Sequence, residues 1–166
     1  MNDRPADPRH LEFMRQALAL ARANAAAGGR PFGAVLVRDG QVLARAVNRI
    51  LDTGDPTAHA ELLAIREAAH ALGVTRLEGC TIYASGHPCP MCLAAMHLAG
   101  IEAAYYAYSN EDGEPFGLST AAVYAQMALP PARQRLPLRQ LRPDAEDGLY
   151  AQWAQRGRGA LRGECG

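Results

Sequence analysis

The chain has 166 residues, of which 49% are apolar, and its 17 lysines and arginines are balanced by 17 aspartates and glutamates. This length fits one compact domain with one hydrophobic core, and the neutral balance argues against a strong general attraction to phosphate backbones without excluding nucleic acid. The apolar stretches are too short for a membrane span, and the N-terminus MNDRPADPRH lacks the apolar core of a signal sequence. We therefore expect a soluble, cytoplasmic protein with one domain over residues 1–155 and a flexible tail over residues 156–166.

The first half of the chain predicts a helix, a hairpin and a second helix. Apolar residues recur with helical spacing over residues 8–27, and Gly28-Gly29 ends this helix. Two β-rich runs then flank Asp39-Gly40, a dipeptide typical of tight hairpin turns. An alanine-rich helix follows Asp55-Pro56-Thr57 and ends at Gly73.

Short strands and helices alternate through the second half of the chain. The predicted elements are a strand over 80–85, a helix over 88–99, a strand over 102–108, a helix over 118–127, a last strand over 138–141 and a last helix over 144–155. The resulting order favours an α/β fold, with helices on the faces of a sheet and right-handed crossovers between parallel strands.

Two short motifs carry residues with the chemistry of a zinc site. His59-Ala60-Glu61 stands at the start of the second helix, and Pro88-Cys89-Pro90-Met91-Cys92 stands at the start of the third. Together they match the His-x-Glu and Pro-Cys-x-x-Cys pattern of zinc deaminases. A catalytic zinc needs three protein ligands and one open position for water, and His59, Cys89 and Cys92 form such a set. Helix N-termini favour anions, which helps to keep both thiols deprotonated.

Each motif has other interpretations when it stands alone. A Cys-x-x-Cys pair also occurs in redox proteins and structural zinc half-sites, and His-x-Glu is frequent by chance. A redox pair needs neither His59 nor Glu61, and a closed structural zinc needs a fourth ligand, for which Cys80 and Cys165 lack motif spacing. The joint pattern therefore favours a catalytic zinc, with Glu61 moving protons between water, substrate ring and departing ammonia.

At these residues the sequence resembles the cytidine and deoxycytidylate deaminase superfamily, in particular its branch of bacterial guanine deaminases, fungal-type cytosine deaminases and tRNA adenosine deaminases. The resemblance covers residues 31–108 and includes PFGAVLV, NRILDTGDPTAHAELLAIR and HPCPMCLAAM. It implies a three-layer α/β/α fold with a mixed five-stranded sheet, one catalytic zinc and a homodimer. It also implies His59, Cys89 and Cys92 as the zinc ligands and Glu61 as the proton shuttle.

The resemblance further implies candidates for substrate contact. Asn48 matches an asparagine that binds the substrate ring or sugar, and it is also an ordinary residue for the turn after a strand. Phe32 matches an aromatic residue that stacks on a flat base, and core packing explains it equally well. Ala60 and Ser119 complete the candidate substrate surface. His87 stands where relatives often carry glutamate, and either substrate contact or simple solvation accounts for it.

The sequence favours a free base as substrate but does not fix the ring. Pro90 is typical of guanine deaminases, where tRNA enzymes commonly have valine. Guanine deaminases, however, have carboxylates directly after a glycine, where this chain reads Gly117-Leu118-Ser119-Thr120. They also have a C-terminal aromatic residue, often from the partner subunit, that this chain lacks after Trp153. Guanine is therefore the first expectation, with isocytosine, cytosine or an aminotriazine as alternatives. Whether the C-terminal segment covers its own pocket or that of a partner stays open.

Two other functions stay open as hypotheses. A tRNA-specific adenosine deaminase would act on a flipped base and bind tRNA with a steep salt dependence. A non-catalytic, zinc-stabilised interaction module would unfold without its metal. Glu61 has no purpose in such a module, which argues against it.

Overall fold

A four-stranded sheet forms the centre of the protein. The computed structural model describes residues 8–143 and 148–155. The strands are β1 (Gly33–Arg38), β2 (Gln41–Val47), β3 (Cys80–Gly86) and β4 (Ala103–Tyr108), in the spatial order β2-β1-β3-β4. β1 pairs antiparallel with both β2 and β3, whereas β3 and β4 are parallel. The sheet is therefore mixed, as expected.

The turn between β1 and β2 has the backbone that its sequence predicts. Arg38 pairs with Gln41, so that Asp39 and Gly40 alone form the loop. Both loop residues are left-handed, with φ of 52° and 75°. Asp-Gly is favoured in such turns because aspartate tolerates and glycine readily adopts this conformation.

Helices pack around this sheet and continue beyond it. Within the described residues they are α1 (Pro8–Ala26), α2 (Ile50–Thr53), α3 (Ala60–Leu72), α4 (Pro90–Ala99), α5 (Asn110–Gly113), α6 (Ala121–Met127) and α7 (Leu149–Gln155). Single turns of 3-10 helix occupy Glu114–Phe116 and Pro131–Arg133. None of the helices in residues 8–143 and 148–155 has the length and apolarity needed to cross a membrane.

The two faces of the sheet are covered by different helices. Side chains alternate along a strand, so that Val35 and Val37 of β1 pack with Ala17 of α1. Leu36 packs on the opposite face, in a cluster with Ala64 of α3 and residues of α4. This arrangement is the three-layer α/β/α fold that the resemblance implies, and the expected fold class is confirmed.

The expected fifth strand is absent from the described residues. Residues 137–143 form neither helix nor strand, and Leu138 and Leu141 have exposed fractions of 76% and 93%. Two leucines within four residues are compatible with a short strand, but a strand also needs a neighbouring edge to pair with. The segment has no such partner in the part of the chain that the structure describes, so the sheet has four strands instead of five.

Smaller differences concern where the helices begin. The helix predicted over residues 118–127 begins only at Ala121. The last predicted helix is observed from Leu149, and residues 144–147 and the predicted tail over 156–166 lie outside the described residues. The short helices α2 and α5 are not foreseen, because a single turn carries too few residues to show a periodic pattern.

Candidate metal centre and active site

Two helix N-termini bring the motif residues together. His59 is the residue before α3 and has an extended backbone, with φ of −77° and ψ of 148°. Cys89 has the same position and a similar backbone before α4, with φ of −69° and ψ of 165°. Each residue thus projects its side chain from a fixed point at the start of a packed helix.

The sequence of the second motif determines the start of α4. Pro90 occupies the first helical turn, where its fixed φ suits the helix and its missing N–H costs nothing. The backbone N–H of Cys92 donates to the Sγ of Cys89 at 3.5 Å, so the sulfur acts as the helix cap. The same geometry turns both sulfurs toward one point.

The three candidate ligand atoms form a nearly regular triangle. The Nδ1 of His59 lies 3.5 Å from the Sγ of Cys89 and 3.5 Å from the Sγ of Cys92. The two sulfurs are also 3.5 Å apart. With Zn–S bonds of about 2.3 Å and Zn–N bonds of about 2.0–2.1 Å, tetrahedral ligands lie roughly 3.5–3.8 Å from each other. The donor set and its spacing therefore fit a zinc ion with one further open position.

Hydrogen bonds within the cluster shift the pKa values of all three candidate ligands. Hydrogen bonds from Cys92 and His59 lower the pKa of the Cys89 thiol, whereas the hydrogen bond to Cys89 and burial raise the pKa of Cys92. The hydrogen bond to Cys89 also raises the pKa of His59, an effect that the charge of Arg30 opposes. Binding of a metal ion by these residues would release protons, because the ligands must be deprotonated.

Glu61 lies beside this cluster without belonging to it. Its side chain is buried, with an exposed fraction of 7%. Burial raises the pKa of the Glu61 carboxyl above its ordinary value, and the nearby His59 only partly offsets this effect. A buried carboxyl with raised proton affinity beside a set of metal ligands is suited to accept and release protons.

Asn48 lies at the end of β2 and is almost completely buried, with an exposed fraction of 3%. Its side-chain oxygen accepts a hydrogen bond from the backbone of Ile50 at 3.2 Å, as expected for a residue that starts a turn. Its side-chain nitrogen has no hydrogen-bond partner among the described residues. The same side chain can therefore hold the turn and still offer an amide donor to a ligand.

The other candidate substrate residues differ in their surroundings. Ala60 is fully buried and stands between the candidate ligand His59 and Glu61 in the sequence, and Phe32 is half-buried against the core cluster on the α3 face. Ser119 precedes α6, and its hydroxyl accepts a hydrogen bond from the backbone of Ala121 at 3.3 Å. The structure therefore groups Ala60 with the metal centre and places Ser119 on a separate segment.

Tyr124 of α6, which the sequence did not point to, contacts the Pro88–Cys89 loop. Its hydroxyl donates a hydrogen bond of 2.6 Å to the carbonyl of Pro88. Burial, together with the charges of Cys89 and the other acidic groups of the centre, raises its pKa. Tyr124 follows Pro88 by 36 residues, and no local pattern connects the two.

A cavity of about 510 Å³ opens between α1 and the residues that follow β4, and Phe32 forms part of its wall. Phe32, Gly86 and His87 lie on its wall, but the three candidate zinc ligands do not. This cavity and the core cluster that contains Cys89 and Cys92 thus meet at Phe32.

Comparison with known proteins connects this centre to a family. Residues 7–108 match the model of the cytidine and deoxycytidylate deaminase zinc-binding region. The chain is 39% identical to guanine deaminase of Bacillus subtilis over 133 residues, which cover 80% of this chain and 85% of the relative. It is 46% identical to a tRNA-specific adenosine deaminase of Agrobacterium fabrum over 101 residues, or 61% of this chain and 66% of that one. The crystal structure of the Bacillus subtilis guanine deaminase superposes with a TM-score of 0.84 at 35% identity, covering 93% of this chain and 99% of that structure.

Proposed function

Because this chain belongs to the cytidine and deoxycytidylate deaminase zinc-binding family and is a zinc-dependent hydrolytic deaminase, we propose that its substrate is a free nucleobase, with guanine as the first candidate. One observation carries the proposal. At two helix N-termini, three side chains that can bind zinc lie close together, and the buried carboxyl of Glu61 lies beside them. The similarity to a guanine deaminase over most of both chains supports the choice of ring.

In this proposal His59, Cys89 and Cys92 would hold the zinc, which would supply the Lewis acidity that lowers the pKa of a water molecule and lets it act as the nucleophile at neutral pH. Glu61 takes one proton from the water as its oxygen attacks the ring carbon that bears the amino group. Glu61 then delivers this proton to the ring nitrogen, takes the second proton from the hydroxyl now on the ring carbon and passes it to the amino group, which leaves as ammonia when the carbon–nitrogen bond breaks. The ring carbon gains a carbonyl, and Glu61 returns to its starting state.

Residues around the metal centre would orient the ring. We propose that Asn48 donates from its free amide nitrogen, that Phe32 stacks on the ring and that Ala60 lines its edge. Ser119 would provide a hydroxyl where guanine deaminases have carboxylates. A hydroxyl both donates and accepts hydrogen bonds, so isocytosine, cytosine and an aminotriazine stay in the candidate set beside guanine.

A substrate panel tests the proposed activity. The purified protein is expected to contain about one zinc per chain and to release ammonia from guanine or from another ring of the panel. The panel includes amino-purines, amino-pyrimidines and aminotriazines, and ammonia is measured by a coupled assay. Zinc-loaded protein that releases no ammonia from any of these rings would contradict the proposal.

A tRNA adenosine deaminase is the second candidate, favoured by the 46% identity to the Agrobacterium fabrum enzyme over 101 residues. It predicts tRNA binding that weakens steeply as salt rises, because phosphate contacts release counterions. The balance of 17 basic and 17 acidic residues favours the free base instead. Inosine formation in a tRNA anticodon loop, measured beside the free-base panel, distinguishes the two.

We further propose that the enzyme is a homodimer that acts in the cytoplasm. Apolar side chains of the C-terminal part are exposed in the single chain, among them Leu136, Leu138, Leu141, Leu149, Tyr150 and Trp153. An exposed set of this kind is typical of a surface that a partner covers. The free thiols of Cys80, Cys89 and Cys92 are compatible with a reducing compartment.

A further inference from the structure

Helix α6 contributes no buried residue to the protein. A helix of seven residues is also too short to be stable through its own backbone hydrogen bonds. Its position therefore depends on the contacts made by a few side chains at and near its ends. Two of these contacts stand out because they connect α6 to other elements.

The first contact holds the start of α6. The backbone N–H of Thr120 donates to the Oδ1 of Asn110 at 2.9 Å, and the Thr120 hydroxyl donates to the same oxygen at 3.3 Å. Asn110 begins α5, directly after the end of β4. Ser119, the candidate substrate residue, is the neighbour of the residue that is held here.

The second contact is the hydrogen bond from the Tyr124 hydroxyl to the Pro88 carbonyl at 2.6 Å. Pro88 directly precedes the candidate ligand Cys89. The ring of His87 packs edge-on against Tyr124, with centroids 5.3 Å apart. The backbone N–H of His87 in turn donates to the carbonyl of Tyr108 at 2.7 Å, which joins this loop to the end of β4.

From this geometry we propose that Tyr124 is a positioning residue, which fixes the Ser119 segment against the Pro88–Cys89 loop and thereby sets the affinity for substrate. The inference deepens the proposed function and rests on it. Ser119 directly precedes Thr120, which the Asn110 contact holds, and the Tyr124 contact holds the next turn of the same segment. Loss of the Tyr124 contact therefore loosens the segment that carries Ser119, the candidate substrate residue.

The zinc ligands do not depend on this contact. Cys89 and Cys92 are held by the start of α4, through Pro90 and the N–H of Cys92, and His59 is held by the start of α3. Removal of the Tyr124 hydroxyl should therefore leave the metal centre intact and change only the segment that carries Ser119. The proposal therefore predicts a change in KM without a change in zinc content.

The test compares Tyr124→Phe with Tyr106→Phe. Both substitutions remove one hydroxyl from a ring that packs on His87, but only Tyr124 donates to Pro88, and Tyr106 forms no side-chain hydrogen bond among the described residues. We expect Tyr124→Phe to raise KM about fivefold, the range expected for loss of one hydrogen bond, with kcat and zinc content unchanged. Tyr106→Phe should leave all three unchanged.

A second measurement does not depend on turnover. Hydrogen exchange followed by mass spectrometry on the zinc-loaded protein should show faster exchange over residues 117–127 in Tyr124→Phe and not in Tyr106→Phe. Unchanged exchange in that segment, an unchanged KM, or a lower kcat at constant KM would each overturn the proposal. If the wild-type protein acts on no ring of the panel, the proposed function fails, while the exchange data still decide whether Tyr124 holds the segment.

A double-mutant cycle then tests whether the effect passes through Ser119. If it does, Tyr124→Phe should change KM much less in a Ser119→Ala background than in the wild type. Equal effects of Tyr124→Phe in both backgrounds would show that Tyr124 does not act through Ser119, and would overturn this step.

Discussion

Glu61 combines a position next to a metal ligand with nearly complete burial. Because burial raises its pKa, the carboxyl holds a proton more readily than an exposed glutamate does. The amide of glutamine has a similar shape and cannot exchange protons in this way. The role proposed for Glu61 therefore depends on the acid itself and not on the space that it fills.

We predict that Glu61→Gln lowers kcat by about 10²–10⁴-fold, the usual contribution of general acid–base catalysis. Zinc content should stay at the wild-type value, because Glu61 is not one of the three ligands. Glu67→Gln, on the exposed side of the same helix, is the matched control and should keep full activity. Metal analysis and ammonia release check both variants, and a Glu61→Gln enzyme with near wild-type kcat would show that the proton shuttle is another group.

Gly86 allows a test of Phe32, whose two interpretations the sequence leaves open. A Cβ at position 86 would lie 2.9 Å from the Cε1 atom and 3.2 Å from the Cδ1 atom of the Phe32 ring, so Gly86→Ala must displace the ring. If Phe32 stacks on the substrate, we expect KM to rise by about tenfold or less, since such stacking is worth about 0.5–1.5 kcal/mol. Steady-state kinetics and thermal unfolding of Gly86→Ala and Phe32→Leu check this expectation. A lower Tm with unchanged KM in both variants would assign Phe32 to core packing alone.

The meeting of His59, Cys89 and Cys92 could be predicted from the sequence, because each motif is contiguous and its chemistry is local. A Cys-x-x-Cys at a helix start brings two sulfurs together whatever the rest of the fold does. Tyr124 could not be found in this way, since its contact with Pro88 is defined only by how α6 packs. The amide of Asn48 lies between these cases, because its residue type was informative but its free nitrogen was visible only in the structure.

At the scale of elements, the helix ends were predictable where a residue type has a strict backbone requirement. Gly73 and Gly100 end α3 and α4 with left-handed φ of 65° and 71°, a conformation that disfavours other residues. The start of α6 was not predictable, because the side chain of Asn110 holds Thr120 outside the helix. The strand expected over residues 138–141 failed for a related reason, since its sequence pattern does not show whether an edge is available.

The metal centre connects α3 and α4 at their N-termini, which makes zinc removal a test at this scale. Both helices also share a buried cluster with β1 and β3, so the fold does not rest on the metal alone. We predict that a chelator lowers the stability by about 2 kcal/mol and the Tm by about 4–8 °C in a chain of this length. Scanning calorimetry with and without chelator measures the shift, and Cys92→Ser should show no shift. Complete unfolding of the metal-free protein at room temperature would favour the zinc-stabilised module instead.

At the scale of the whole molecule, the exposed apolar residues lie unevenly along the chain. The core clusters are built from residues before position 102, whereas the C-terminal part exposes leucines and aromatic residues to solvent. Burial of such residues in an interface with a second copy of the chain would remove apolar area from water and stabilise the dimer. The composition predicts one core of ordinary size, but it does not show which apolar residues remain outside that core.

We therefore predict that the full chain sediments as a dimer and that the double substitution Leu138→Asp, Leu141→Asp converts it to a monomer. Leu138 and Leu141 have exposed fractions of 76% and 93% in the single chain, so charged residues there cost little unless a partner buries them. Val74→Asp replaces another exposed apolar residue, outside the C-terminal part, and should leave the dimer intact. Analytical ultracentrifugation measures the masses, and zinc content shows that each variant is folded. A wild-type chain that sediments as a monomer would contradict the homodimer, and the exposed leucines would then require a different partner.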